Sequence, residues 1–365
     1  MQPSKETEQQ IILELSRFLN PNAEKLTDYF AEVLDYPYLL GNILHHRMGA
    51  VCYYVLKQNA LLGKVHREFR NTLKIIYESH RVQAVSMLEA LSLLGKILSG
   101  IAVPYAVLKG GFLVDLYPHG LRTSNDIDIL VDQKDLAALT SRLKENGFEQ
   151  GTVRDGQFVA ASRTEIVSSR MNRGETVPYI RQIGLPQMEY MEIDVNFSLD
   201  FKARQESDTV PRLLSRTQPL IHTDFGTLQT LCPTDFMIHL CLHLYKEATV
   251  SSWVKMNRDQ SLYKYCDIYL LIHEWMDFQY ANMLAQEIKL CAVERECYYA
   301  LAGTKALFDI HNEALDWLLD GIRPNNMDFL SEISDPQANE TYFHNQSFVQ
   351  WVFCPNRIQQ LTRKA

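Results

Sequence analysis

The sequence has no long apolar run and no C-x-x-C pair, and its basic residues are outnumbered by acidic ones. No uncharged run reaches membrane-spanning length, and the chain does not open in the manner of a signal peptide. We therefore expect a cytoplasmic protein without a membrane partner. The 365 residues predict two or three structural units, because single domains usually run to about 100–200 residues.

The cysteine content and the net charge argue against further classes of protein. The seven cysteines are odd in number and scattered, which argues against a disulfide framework or a thiolate zinc site and predicts reduced cysteines in the core. The net charge is −8, whereas tight sequence-independent binding to nucleic acid requires many Lys and Arg contacts to phosphate. This balance disfavours nucleic acid as a partner without excluding it, and it leaves room for a local basic pocket that binds a nucleotide.

The hydrophobic pattern changes type twice along the chain. Apolar residues recur at helical spacing in residues 7–19 and again in residues 50–98, which predicts an N-terminal helical region at 1–98. A helical pattern returns where Pro233 and Thr234 form a typical helix start, and it continues almost to the end. We therefore predict a central region at 99–205 and a C-terminal helical region at 206–365.

The central region alternates between strand and helix patterns. "IAVPYAVLKGG" predicts a strand that enters a tight turn, "FLVDLYP" a short helix, and "DIDILVD" a half-buried strand. The helix "QKDLAALTSRLKENGF" stops at Gly147, and "QMEYMEIDVNFSLD" predicts a third strand with acidic residues on its polar face. These elements predict an α/β (α+β) core around a small mixed β-sheet, flanked by helical regions.

Carboxylates cluster on the predicted strands. Asp126 and Asp128 point to the same face of one strand, and Asp194 lies on the polar face of another. If these strands are neighbours, the three carboxylates repel one another unless cations lie between them, and carboxylate oxygens are ligands suited to Mg²⁺. Gly110 and Gly111, which lack a Cβ atom, allow backbone N–H groups to approach a phosphate at the start of a helix.

The order of these elements resembles the nucleotidyltransferase superfamily of the DNA polymerase β type: strand, Gly-Gly, short helix, D-h-D strand, helix and h-D-h strand, where h is hydrophobic. "YAVLKGGFLVDLYPHGLRTSNDIDILVD" is similar to a poorly characterised branch with an L-K-G, L-Y, R and D-h-D-h-L-V signature between helical flanks. The resemblance covers residues 100–200 with specific motifs and extends more loosely into both flanks.

The resemblance implies a role for each matching residue. Asp126, Asp128 and Asp194 would ligate the metal, and Asp194 would also help to activate the acceptor hydroxyl. The nucleotide would be bound by Lys109, Gly110, Gly111, Arg122 and Ser124. The chain departs from the pattern in two places: the stretch from the glycines to the first aspartate is long, and Asn196 stands where relatives of this branch often have histidine.

Several residues keep two interpretations. Glu192 shares a face with Asp194 and is an alternative third ligand. His239 and His243 are spaced i, i+4 and could share a metal, but no glutamate lies between them, so buried or nucleotide-adjacent histidines are the favoured interpretation. Lys246 could reach a phosphate, but a solvated surface lysine is the default interpretation. Asp267 interrupts an apolar helix, and two interpretations fit it equally: it forms a cap-like hydrogen bond, or it helps to orient the base of the nucleotide.

The segment from Arg154 to Arg181 is rich in arginine and poor in periodicity. It is interpreted as a mobile loop near the active site that orders on substrate, or as a solvated insertion.

The function implied by the resemblance is transfer of a nucleoside monophosphate with release of pyrophosphate. AMP from ATP is the default, on the abundance of ATP alone. Mg²⁺, or Mn²⁺ in its place, would be the cofactor, and the acceptor would be a hydroxyl or phosphate of a small molecule or peptide. A protein side chain (AMPylation) or a tRNA end modified by a toxin-like enzyme remain alternative acceptors. A non-catalytic nucleotide sensor or scaffold is the alternative from another class, and a calcium-binding module is a weaker one.

Overall fold

The computed structural model describes residues 5–172, 174–199, 209–220 and 228–363. The chain forms two compact units. Glu78–His239 form one, here named the sheet unit, and Met1–Tyr77 with Leu240–Ala365 form the other, here named the helical unit. The division at residues 98 and 205 stays a prediction about domains, since these units are defined by spatial proximity alone.

The described residues form α-helices over most of the chain. Their bounds are α1 Glu6–Ser16, α2 Ala23–Tyr29, α3 Tyr36–His45, α4 Gly49–Gln58, α5 Arg67–Leu98, α6 Lys109–Leu116, α7 Leu136–Glu145, α8 Arg163–Asn172, α9 Thr209–Leu214, α10 Pro233–Thr249, α11 Ser251–Lys255, α12 Leu262–Trp275, α13 Phe278–Cys291, α14 Glu294–Phe308, α15 Glu313–Ile322 and α16 Phe348–Val352. The predicted helices at 7–19 and 50–98 and the helix that starts at Pro233 are confirmed.

The strands are short. Their bounds are β1 Tyr105–Val107, β2 Asp126–Val131, β3 Glu149–Arg154, β4 Gln157–Ala160, β5 Tyr179–Leu185, β6 Met188–Asn196, β7 Gln218–Leu220, β8 Leu228–Thr230, β9 Glu332–Asp335, β10 Glu340–Phe343 and β11 Thr362–Arg363. The predicted strands become β1, β2 and β6, so the three strand patterns read from the sequence are confirmed.

Several helices of the helical unit begin behind a side chain that caps the first turn. Asn22, Asp35, Asp277 and Asn312 each accept a hydrogen bond from the backbone N–H three residues later. Such a cap satisfies one of the N–H groups that a helix start leaves without an intrahelical partner, and it stabilises the helix by about 1 kcal/mol. These caps fix where the helices begin.

The sheet unit is built on one mixed sheet with strand order β4-β3-β5-β6-β2-β1-β8-β7. β2 pairs in parallel with β6 and antiparallel with β1. One face of β2 and β6, with Ile127, Ile129 and Ile193, packs in a buried cluster with residues of α5 and α7 such as Leu94 and Leu139. The predicted α/β class with a mixed sheet and helical flanks is confirmed, and the sheet has more strands than the sequence patterns predicted.

The segment from Arg154 to Arg181 contains regular structure, so its interpretation as a loop is wrong. β4, α8 and the start of β5 occupy much of it. Ser162 and Glu165 cap the start of α8, because the Glu165 carboxylate accepts from the Ser162 backbone N–H at 2.8 Å and the Ser162 hydroxyl accepts from the Glu165 N–H at 3.3 Å. β4 lies at the sheet edge with most of its residues exposed, so its pattern carries no buried face to detect.

The last part of the chain is not helical, which corrects the prediction of helix almost to the end. After α15, three strands form a second sheet in the order β11-β10-β9, and α16 is a single short helix. β9 and β10 have four residues each and β11 has two, and strands of this length are too short to show an alternating pattern.

The structure agrees with the prediction that the cysteines are reduced. All seven are free thiols, and Cys52, Cys241, Cys266 and Cys297 are buried. Among the described residues, no helix combines the length and the apolar character needed to cross a bilayer.

A buried ion pair anchors the C-terminal segment inside the helical unit. Arg357 contacts both carboxylate oxygens of Asp259, with Nη2 at 2.9 Å from Oδ1 and Nε at 2.8 Å from Oδ2. The guanidinium also donates to Asn257 Oδ1 and to the carbonyls of Val352 and Cys354. Both charged side chains are buried, so each depends on the other for its counter-charge.

Arg357→Met is expected to lower the free energy of unfolding by about 3–5 kcal/mol, because it leaves the Asp259 carboxylate buried without its cation. Urea denaturation measures the change. The matched control is Arg363→Met, which removes the exposed arginine that pairs with Glu340 at 2.8 Å and should cost about 0.5 kcal/mol or less. Equal losses in the two variants would contradict the burial argument.

Candidate active site

The carboxylates are brought together by the register of two parallel strands. β2 and β6 pair so that Asp126 lies beside Glu192, and Asp128 beside Asp194. Alternate residues of a strand point to one face and neighbouring strands lie about 4.8 Å apart, so these four side chains form two rows on the same face. They are named the carboxylate array here. The opposite face carries the Ile residues of the core.

Asp128 is the buried member of the array and has protein donors on one oxygen. Its Oδ1 accepts from Lys109 Nζ at 2.8 Å and from Asn196 Nδ2 at 3.3 Å. Its backbone carbonyl accepts from the Leu108 N–H at 2.9 Å. This last bond fixes the end of β1 against β2, so that α6 starts beside the array.

Asp126 is held by the loop that precedes it. Its Oδ1 accepts from Ser124 Oγ at 2.6 Å. Gln83 of α5 in turn donates to the Ser124 carbonyl at 3.3 Å and to Asn125 Oδ1 at 3.0 Å. Ser124 was predicted to bind nucleotide, and the structure places its hydroxyl on a carboxylate of the array.

The two acids of the array on β6, Asp194 and Glu192, have raised pKa values. The pKa of Asp194 is raised well above its usual value, and burial is the main cause. Neighbouring negative charges raise it further, from Asp128, Asp126, Glu192 and Glu175. The pKa of Glu192 is also raised, first by burial and then by Asp126. Burial together with like charges therefore disfavours ionisation of both acids on this face, and a bound cation would relieve the repulsion.

Glu175 is a fifth acidic residue at this site that the sequence did not reveal. It forms a β-bridge with Asn196 at the end of β6. Backbone hydrogen bonds from Thr176 N–H to the Val195 carbonyl and from Phe197 N–H to the Gly174 carbonyl, each 2.9 Å, hold it there. A single bridge leaves no period in the sequence, so spacing gave no signal for this residue.

The paired glycines are required by packing at the start of α6. A Cβ atom on Gly110 would lie 2.5 Å from Ser124 Cβ, and one on Gly111 would lie 2.5 Å from Val107 Cγ1. Both glycines are buried. They therefore let α6 approach the Ser124 loop and β1, and no described side chain caps the start of this helix.

Arg122 lies in the same loop as Ser124. Its guanidinium donates to the Thr123 carbonyl. The pKa of His80 is lowered, first by burial and then by the charge of Arg122. The loop approaches α5 closely at Gly120, which has φ +86° and whose Cβ would lie 2.9 Å from Arg81 Cα. Only glycine suits this position. The long loop between the paired glycines and Asp126 therefore follows a fixed path along α5.

The remaining predicted residues lie on helices outside the array. His239 is the last residue of the sheet unit. It is buried, and its ring lies near that of Phe236. His243 and Lys246 belong to the helical unit, where His243 Nε2 lies 3.4 Å from Glu247 Oε1. Asp267 is buried within α12. A contribution of His243 or Lys246 to nucleotide binding stays a prediction.

The donor chemistry of the array fits a hard divalent cation. Carboxylate oxygens are the ligands that Mg²⁺ prefers, and the pKa of Asp194 is raised by burial and then by four neighbouring carboxylates. In the part of the chain that the structure describes, however, no three His, Cys, Asp or Glu side chains are already grouped around one ion position. The side chains of Asp126 and Asp128 are turned toward Ser124 and Lys109, so binding an ion requires them to change partner.

Gly110→Ala is expected to destabilise the protein by about 1–3 kcal/mol, because the added methyl group overlaps the Ser124 side chain. Urea denaturation measures the loss, and Ser124→Gly in the same chain should restore part of it. Gly41→Ala is the matched control: Gly41 is also inside a helix, but nothing lies within 4 Å of the added atom, so alanine should stabilise by up to about 1 kcal/mol. Destabilisation at both positions would contradict the overlap.

Asp194→Asn is expected to stabilise the protein at neutral pH in buffer that contains a chelator. The folded state raises the pKa of Asp194, so folding favours the protonated form, and stability falls as pH rises from about 4, the unfolded value, through the folded value. Asparagine cannot ionise and avoids this loss.

The variant should be more stable than the wild type at about pH 7, and the difference should disappear near pH 4. Urea denaturation across this range measures it. Glu189→Gln, an exposed carboxylate on the same strand, is the control and should change stability little at any pH. A gain that does not depend on pH would contradict the assignment to ionisation.

Comparison with known proteins identifies the family of this chain. No curated protein sequence matches the chain. The crystal structure of an antigenic nucleotidyltransferase-like protein from Paracoccidioides brasiliensis covers 64% of this chain and 94% of its own at 14% identity, with a TM-score of 0.37 that is too low to carry an argument. The model of a family described as uncharacterised nucleotidyltransferase matches residues 34–309, which include the whole carboxylate array. The chain belongs to this nucleotidyltransferase family.

Proposed function

We propose that the protein transfers a nucleoside monophosphate from a nucleoside triphosphate, ATP by default, to a hydroxyl or phosphate of a small-molecule or peptide acceptor. An acceptor oxygen attacks the α-phosphorus and forms the new P–O bond. The bond between the α-phosphorus and the bridging oxygen breaks, and pyrophosphate leaves. Such a reaction depends mainly on positioning and on charge neutralisation.

The carboxylate array is the observation that carries this proposal. Four acidic side chains lie in register on two parallel strands, and the pKa of Asp194 is raised by burial and further by its acidic neighbours. A fold gains no stability by placing like charges side by side, since each partly buried carboxylate disfavours ionisation of the next. Such a site is typical of one that is completed by cations and by the phosphates of a substrate.

Asp126, Asp128 and Asp194 would hold Mg²⁺ in this proposal, with Glu192 as the alternative third ligand. Bound there, Mg²⁺ would neutralise the charge of the triphosphate and of the departing pyrophosphate. The start of α6, with the N–H groups of Lys109 and Gly110, faces no described capping side chain and would approach the phosphates. Arg122 would add positive charge from the neighbouring loop.

Asp194 would take the proton from the acceptor hydroxyl as the new bond forms. Burial, and then the neighbouring acids, raise the pKa of this carboxylate, so without a bound cation it holds a proton more tightly than an ordinary aspartate. Asn196, on the same face two residues later, donates to Asp128 and cannot accept a proton as a histidine would. Of Asp194 and Asn196, only Asp194 can accept the proton, and we therefore assign the proton transfer to it.

The double variant Asp126→Ala/Asp128→Ala is expected to lose Mg²⁺-dependent nucleotide binding. In a thermal denaturation series with ATP, GTP, CTP and UTP, each with and without Mg²⁺, one nucleotide should stabilise the wild type only when Mg²⁺ is present. At about 100 times Kd the added stability is about 2.7 kcal/mol. The double variant should show none of it.

Asp132→Ala/Asp135→Ala is the matched control, since it removes the same charge just beyond the end of β2 and should keep the stabilisation. Turnover is then measured as pyrophosphate release and as transfer of label from the α-phosphate to hydroxyl- and phosphate-bearing acceptors, peptides and tRNA. If no nucleotide stabilises the wild type, the proposal is wrong. Mg²⁺-dependent binding without transfer to any acceptor would instead identify a nucleotide sensor.

A further inference from the structure

Lys109 is a cation in direct contact with the carboxylate array. Its Nζ lies 2.8 Å from Asp128 Oδ1, and the two side chains are 21% and 6% exposed. A charge-assisted hydrogen bond of this length in a partly buried place is stronger than a surface ion pair. Asn196 Nδ2 donates to the same oxygen at 3.3 Å. Both donors occupy lone pairs of Asp128 that a metal ion would use.

The backbone of Lys109 is strained in the conformation that makes this contact. Its φ is +40°, a left-handed value that glycine adopts readily and lysine does not. Leu108, the preceding residue, is fixed by its N–H bond to the Asp128 carbonyl at 2.9 Å. Lys109 therefore turns directly from β1 into α6, with its side chain folded back over the strand that carries Asp128. Strain of this kind at a site of concentrated charge is associated with function.

The charges of the array explain why this contact forms and why it is exchangeable. Asp128 faces Asp194 across the strand pair, and a cation between the strands relieves their repulsion. A divalent ion would do so more effectively than one ammonium group, but it must first displace that group from Asp128. The displaced ammonium remains at the start of α6, beside the position proposed for the phosphates.

We propose that Lys109 is an internal counter-ion that competes with the divalent cation for Asp128 and moves to the triphosphate when the nucleotide binds. The proposal rests on the proposed function, since it assumes that metal and nucleotide share this site. Its consequence is coupling: the nucleotide draws Lys109 away from Asp128 and thereby tightens metal binding, and by reciprocity the metal tightens nucleotide binding. Lys109 is thus a positioning residue.

The experiment measures Mn²⁺ binding by isothermal titration calorimetry, with and without the non-transferable analogue α,β-methylene ATP. Lys109→Met keeps the length and apolar stem of the side chain and removes its charge. Without nucleotide it should bind Mn²⁺ about tenfold more tightly than the wild type, and in the presence of Mn²⁺ it should bind the analogue more weakly. The factor by which the analogue tightens Mn²⁺ binding should fall correspondingly.

Two further variants keep the test decisive. Lys109→Gly also removes the amine but suits the positive φ, so it should fold even if the methionine variant does not, and it should tighten Mn²⁺ binding in the same way. Lys134→Met removes an exposed lysine that pairs with Asp132 at 3.0 Å beyond the end of β2, and it should change neither affinity. This control separates the Lys109 contact from a general change in net charge.

The outcomes distinguish this proposal from the proposed function. If the wild type binds Mn²⁺ and the analogue through Asp126 and Asp128 but both Lys109 variants bind Mn²⁺ as the wild type does, the counter-ion proposal is wrong and the proposed function stands. If Lys134→Met tightens Mn²⁺ binding as much as Lys109→Met, the effect is one of net charge and the proposal is again wrong. If the wild type binds neither probe, both proposals are wrong.

Discussion

Repulsion between carboxylates on two adjacent parallel strands is the constraint on which the site depends. The pairing of β2 with β6 places Asp126 beside Glu192 and Asp128 beside Asp194, and the buried side of the same strands is apolar. The hydrophobic face fixes the register, because a slip of one residue would move the isoleucines out of the core and the acids into it. The core therefore holds the like charges together, and the polar side must supply the cations.

The elements around the array are arranged to manage this charge. Ser124 and Lys109 each occupy an oxygen of one aspartate, and both come from segments that are fixed by close packing. Gly110 allows α6 to contact the Ser124 loop, and Gly120 allows that loop to contact α5. The glycine pair thus has a steric role that is independent of phosphate binding. Side chains that stabilise the carboxylates in this state are the ones that a metal and a nucleotide would displace.

Much of the site was predictable because strand periodicity is local. The alternation around "DIDILVD" and "MEIDVN" assigned Asp126, Asp128, Asp194 and Glu192 to polar faces without any tertiary information, and the family match includes all four. The residues that contact these acids were harder to predict from the sequence. The bond between Ser124 and Asp126 depends on a loop path set by contacts with α5, and Glu175 reaches β6 through a single bridge. The Arg154–Arg181 segment was interpreted as a loop because its exposed edge strand and helix bury too little apolar surface to show a period.

The sequence by itself determined the α/β class, the helical flanks, the three strands with strong alternation and the acidic residues that define the site, because each depends on a repeat within a few neighbouring residues. Only the tertiary structure decided which acids stand side by side, which lysine contacts Asp128, and why both glycines are needed. These features come from the register of strands more than 60 residues apart and from close approach between loops and helices. Such contacts are decided by how the hydrophobic faces pack, and packing is a property of the whole unit that no short stretch of sequence contains.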